Sequence, residues 1–188
     1  MTEPDRSDYG TVARVLHWAT AVMVVVQLGA GIAMTSEALP RFGDALFILH
    51  KGMGCVFFLV IGARLLWKLT HPVSPLLPRT PLLQRWLASV THNLLYALLI
   101  LLPVSGYIRT VGDGYPIEML DAMGIPPLIT DIPDTAHLML VVHKVAGYLL
   151  VALIAGHVAA AAHYAVERDG VMARIWPPVR PRATRAGE

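Results

Sequence analysis

Apolar residues run along this chain in four long stretches, separated by links that carry prolines, cations or acids. The stretches cover about 15–34, 45–69, 86–107 and 137–166, each long enough to cross roughly 30 Å of hydrocarbon. Lipid offers no partner to backbone N–H and C=O groups, so each stretch is predicted to be a helix. The fold class that follows is an all-α integral membrane protein, a four-transmembrane-helix bundle. The second stretch is imperfect, because only twelve residues between Lys51 and Arg64 lack charge. Either both cations snorkel to the interfaces, or they neutralise something anionic inside the bundle. Trp18, Trp67, Trp86, Tyr107 and Tyr164 lie near stretch ends and fit interfacial belts, although Trp18 suits a place inside the bundle equally well.

The links predict an orientation. The link after the second stretch holds Lys68, His71, Arg79 and Arg85 and no acid, and the tail holds Arg168, Arg174, Arg180, Arg182 and Arg185. The link after the third stretch carries Asp113, Glu118, Asp121, Asp131 and Asp134 against Arg109. The positive-inside rule then puts both termini in the cytoplasm and the acidic link outside. Residues 70–85, with Pro72, Pro75, Pro78 and Pro81, read as an ordered, non-helical strap. Residues 110–136 form a long loop, and long structured loops often carry function. One domain is expected over residues 1–170, followed by a basic, proline-rich cytoplasmic tail over 171–188, flexible beyond Trp176 and drawn to anionic lipid.

Composition agrees with the pattern. The chain is 55% hydrophobic and only 15% charged, whereas soluble domains average about 25% charged. A formal net charge of +2 gives no reason to expect a nucleic-acid partner. Residues 1–10 are polar and acidic, unlike the start of a cleaved signal peptide, so the first stretch is expected to persist. The single cysteine, Cys55, excludes a disulfide within the chain.

The chemistry lies in the histidines. His143 and His157 share the fourth stretch, fourteen residues apart, which is about 21 Å along one helical face. With the predicted orientation, His50 and His143 lie at the outer level, and His17 and His157 at the inner one. A lone histidine near a span end is ordinarily an interfacial hydrogen-bonder, but four sorted by depth point to ligation. His92 is also at the inner level, and depth alone leaves it as a competing ligand. His71, His137 and His163 are expected at the interfaces. A structural zinc site usually recruits thiolates or carboxylates in a tetrahedron, and no acid lies within these spans. Paired imidazoles on opposed helices suit a flat macrocycle, one nitrogen on each face of a haem.

Gly54 and Gly147 each lie four residues after an outer histidine, where a small residue allows close approach of a macrocycle or of another helix. Lys51, Lys144 and Arg41 are candidates to meet outer propionates, and Arg14 and Arg64 inner ones; snorkelling would place the same side chains there.

At these residues the chain resembles the bacterial cytochrome b561 family. The matching stretches are Arg14-Val-Leu-His-Trp18, His50-Lys-Gly-Met-Gly54, Gly62-Ala-Arg-Leu-Leu-Trp-Lys68 and His92-Asn-Leu-Leu-Tyr96. They continue with Leu102-Pro-Val-Ser-Gly-Tyr107, His143-Lys-Val-Ala-Gly-Tyr148 and Gly156-His-Val-Ala-Ala-Ala-Ala-His-Tyr164. The resemblance covers residues 9–170 and implies a four-helix cytochrome of the bacterial inner membrane with two haems b. His17 and His157 would hold the inner iron, and His50 and His143 the outer one. The family also has a histidine at the position of His92, which it does not usually use as a ligand.

Members pass electrons between the outer face and the quinone pool. One branch oxidises superoxide and reduces ubiquinone; other relatives serve as cytochrome subunits of hydrogenases and dehydrogenases. The resemblance therefore implies a superoxide:quinone oxidoreductase, with Lys51, Lys144 and Arg41 drawing superoxide to the outer haem edge, helped by Arg109. Arg14, Trp18, His92 and His163 are the polar inner groups for a quinone. The alternative is a haem b membrane anchor relaying electrons for a separate dehydrogenase or periplasmic carrier. A metal or proton transporter would use the same histidines for ions.

Overall fold

The computed structural model describes residues 10–36, 40–72, 81–166 and 175–176, and it is all-helical there. Helix α1 spans Thr11–Met34, α2 Gly43–Thr70, α3 Leu82–Gly112 and α5 Pro133–Val166, with a short α4 at Glu118–Ala122. The four long helices are each long and apolar enough to cross a membrane. They run past the predicted hydrocarbon spans at most ends, because helical backbone continues until a terminating signal. Asp44 and Asp134 sit in the first turns of α2 and α5, and Lys68 and Arg109 in the last turns of α2 and α3. Each opposes the local end of the helix dipole. Pro133 opens α5 at the position where its missing N–H costs nothing, and Pro81 precedes α3.

The proline-rich link is shorter than expected, since Arg85 already lies in α3; residues 73–80, with Arg79, lie outside the described residues. So do the tail arginines.

The close pairings are α1 with α2, α2 with α3, and α3 with α5. Among the described residues, α1 and α5 do not pack closely along their lengths. The core joining the four helices is a cluster of Val24, Phe57, Ile61, Leu99 and Leu150 at mid-depth. Around it, Val22, Val25, Leu59, Leu66 and Tyr148 are exposed, as befits helices whose outer faces meet lipid, which is as apolar as they are.

The loop after α3 is folded back on the bundle. The Tyr107 hydroxyl accepts the Leu128 N–H at 2.9 Å, and the Ile132 N–H reaches the Gly112 carbonyl at 3.1 Å. Gly112 is required there: a Cβ would stand 2.9 Å from Ile132 Cγ1. Tyr107 thus anchors the loop, a more specific role than the interfacial belt expected of it.

Candidate functional site

Two polar clusters stand at opposite ends of the bundle. The first joins the beginnings of α2 and α5, where the rings of His50 and His143 face each other edge to face, centroids 6.0 Å apart. Two imidazoles sharing one metal, with bonds of about 2 Å to each, have centroids at roughly that separation. His143 Nδ1 lies 2.9 Å from the Leu102 carbonyl. A carbonyl only accepts, so Nδ1 carries the proton and Nε2 of the neutral ring is bare, the form that ligates. His50 Nδ1 is buried, with the Gln27 backbone near it but outside hydrogen-bond geometry. A buried imidazole nitrogen without a partner is costly and rare in native structures, and here it stands on a ring directed at a second histidine.

Lys51, next in sequence, does not face open space. Its ammonium donates to the Pro116 carbonyl and to Glu118 Oε1, both at 2.8 Å, and lies over the Phe47 ring. The same ring receives Arg109. The loop therefore latches onto α2 through one ion pair, and Lys51 holds the Glu118 carboxyl below the usual carboxylate range. Of the other outer cations, Arg41 and Lys144 are exposed. Gly54 sits against Gln27, and Gly147 faces open space.

The second cluster joins the beginnings of α1 and α3 to the ends of α2 and α5. Arg64 donates to His17 Nδ1 at 2.9 Å. His92 packs edge to face on His157, centroids 5.3 Å apart, and both lie within electrostatic range of His17. His92 Nδ1 donates to its own helix, at Ala88, over 2.7 Å. Lys68 and Arg64 both lie over the Tyr96 ring. Arg14 is buried and engaged, and His163 is exposed beside Tyr164. Trp18 packs on His17 and on Trp176, and its indole N–H donates to the Ile175 carbonyl at 3.0 Å.

The structure brings His50 and His143 together at one end, and His92 and His157 together near His17 at the other. Depth could not show the lateral contacts: Glu118 on Lys51, Arg64 on His17, Ser105 beside His143, or Ile175 and Trp176 on Trp18. Among the described residues, no three of His, Cys, Asp and Glu gather as a compact metal-ion site would need.

Fold and site together define a four-helix membrane protein with facing imidazoles at one end and a histidine–arginine cluster at the other. A sequence-family profile described as prokaryotic cytochrome b561 matches residues 8–178, and the chain belongs to that family. Its sequence is 26% identical to cytochrome b561 homolog 2 of Escherichia coli (strain K12), over 92% of each chain. It is 25% identical to cytochrome b561 homolog 1 of the same organism, over 86% of this chain and 93% of the relative. The probable superoxide oxidase CybB of Yersinia pestis is 24% identical, over 88% of this chain and 93% of the relative. Membership implies transmembrane electron transfer with b-type haem. The paired imidazoles, with His143 Nε2 bare, are a donor set that fits such a group.

Proposed function

We propose that this protein carries electrons across the bacterial inner membrane through two bis-histidyl haems b, with superoxide as donor outside and ubiquinone as acceptor. When bound, the haems would supply one-electron transfer, one held by His50 and His143 and the other by His17 and His157. The observation that carries the reading is the separation of two histidine clusters to opposite ends of one bundle, with α5 contributing to both. His50 and His143 hold the outer iron, and His17 and His157 the inner one.

Ligation by His17 Nε2 needs the ring proton on Nδ1, which the Arg64 contact does not allow. Arg64 then turns to another acceptor, and a propionate carboxylate is the acceptor that the cofactor brings. The exposed His92, next to His157, and His163 are the polar groups that a quinone arriving from lipid would meet. Arg14 and Trp18 are less suited, because Arg14 is buried and Trp18 is covered by Ile175 and Trp176. Both termini lie on the cytoplasmic side, by the charge of the links.

At the outer end, Lys144, Arg41 and Arg109 provide the positive field for a small anion, while Lys51 is shared with Glu118. That sharing, with the exposed Asp113, Asp121, Asp131 and Asp134, favours one second reading: a membrane anchor whose acidic outer surface docks a basic electron carrier. A superoxide pulse given to the purified, oxidised protein separates them. Haem reduction within the pulse, passed on to added ubiquinone, is the expected result. Normal reduction by dithionite without any response to superoxide would leave the anchor.

A further inference from the structure

One segment of α3, Leu102-Pro-Val-Ser-Gly106, meets His143 and no other imidazole. Ser105 is fully buried at 0% exposure. Its hydroxyl donates to the Leu101 carbonyl of its own helix at 2.7 Å, which commits its single proton. Its oxygen, 3.2 Å from His143 Nδ1, is left as an acceptor. The His143 N–H is therefore shared between the Leu102 carbonyl at 2.9 Å and the Ser105 oxygen, and both partners demand the same tautomer.

Gly106 opens the approach. A Cβ there would stand 3.0 Å from His143 Cε1 and 3.2 Å from Nδ1, so the ring would have to move a few tenths of an ångström off its acceptors. Pro103 lies in the same helix turn and removes a backbone N–H that Leu99 would otherwise receive, so the segment already departs from plain helical bonding. His50 is held less closely, since its Nδ1 has only the Gln27 backbone near it, outside hydrogen-bond geometry.

We propose that Ser105 and Gly106 are positioning residues for His143. They hold the imidazole with Nε2 bare and directed at the outer site, and they make it the anchored member of the outer pair. The inference rests on the reading of His143 as an outer haem ligand. Two acceptors on Nδ1–H push electron density toward Nε2 and make the ligand more basic. A more basic axial ligand favours the oxidised iron, so loss of one acceptor makes the outer haem easier to reduce.

The test is a potentiometric titration of the purified holoprotein, followed by haem absorption, with haem counted per chain. The outer haem is identified as the one lost in His143→Ala. Ser105→Ala is expected to keep both haems and shift only the outer midpoint to more positive potential, and Ser105→Thr, which keeps the hydroxyl, to restore it. Gly106→Ala is expected to weaken or lose the outer haem alone, while Gly62→Ala, where a Cβ meets nothing within 4 Å, changes neither haem. The proposal is overturned if Ser105→Ala and Gly106→Ala leave the outer midpoint and occupancy at wild-type values. It is equally overturned if Ser105→Ala moves both midpoints alike, or if Ser105→Thr matches Ser105→Ala. Retention of both haems in His143→Ala would instead defeat the ligand reading beneath it.

Discussion

The two ends of the bundle use the same side chain in opposite ways. At the end that holds His50 and His143, His143 gives its Nδ1 proton to backbone and hydroxyl acceptors, and the Lys51 ammonium is matched by the Glu118 carboxylate. At the opposite end, His17 accepts a hydrogen bond from Arg64, and Lys68 and Arg64 share the Tyr96 face. An imidazole that donates from Nδ1 is prepared to ligate through Nε2; one that accepts there is not. On the proposed reading, the end that holds His143 is preorganised by its own chain, whereas the end that holds His17 has to exchange an arginine contact when a haem arrives. Preorganisation of the first kind costs little on binding, while rearrangement of the second kind draws on binding energy.

The comparison breaks most visibly if its histidines are removed. His143→Ala and His157→Ala should each lower haem content from two per chain to one, with different absorption bands surviving in the two proteins. His17→Ala and His92→Ala sharpen the inner end. The first should lose the inner haem; the second should keep it and raise the quinone concentration needed for half-maximal reoxidation several-fold, measured with soluble quinone analogues. Loss of the inner haem in His92→Ala, with retention in His17→Ala, would exchange the two roles.

A smaller effect is expected from Arg64→Leu. In the haem-free protein it leaves a partly buried His17 nitrogen unpaired, which costs on the order of 1–3 kcal/mol, and should lower the melting temperature of that form. Glu118→Gln acts at the outer end: it frees Lys51 and removes a negative charge from the path of an anion. The rate of haem reduction by superoxide should rise by a factor of roughly 2–5 at low ionic strength and approach wild type at high salt, as steering effects do. An unchanged rate would show that the latch does not face the donor's route.

The pH dependence of that latch is the most modest prediction. The Lys51 hydrogen bond, the foremost cause, depresses the Glu118 pKa. A depressed folded-state value means that the carboxylate's contribution is present above its ordinary range and is lost as pH falls through the folded value. Amide exchange in α4 and the Pro116 turn should therefore stay slow through the ordinary carboxylate range and quicken only below it. In Glu118→Gln the step should vanish.

Much of the fold was legible in the sequence because lipid imposes one rule on every residue of a span. Apolar length placed four helices, and the spacing of His143 and His157 placed two levels. Depth is a single coordinate, however, and contacts need the angle around each helix as well. Lys51 read as a free outer cation because nothing in α2 announces that Glu118, across a loop of irregular backbone, will reach it. Arg64 read as a partner for a propionate because its depth was right, and its neighbour His17 is on another helix. Ser105 stands in the sequence only as one residue of the Leu102-Pro-Val-Ser-Gly-Tyr107 stretch; the arrival of α5 gives its lone pairs a task. Gly54 was legible as a site of close approach, but Gln27 is what approaches it. The docking of Ile175 and Trp176 on Trp18 was hidden for the same reason, since tail composition says nothing of where two residues land.

The account stands or falls on two metal levels in one chain, and a pyridine haemochrome count with a reduced-minus-oxidised spectrum of the purified wild-type protein tests that directly. Two haems b per chain, both low-spin and titrating as separate components, is the predicted result. One haem per chain, or none, would contradict it.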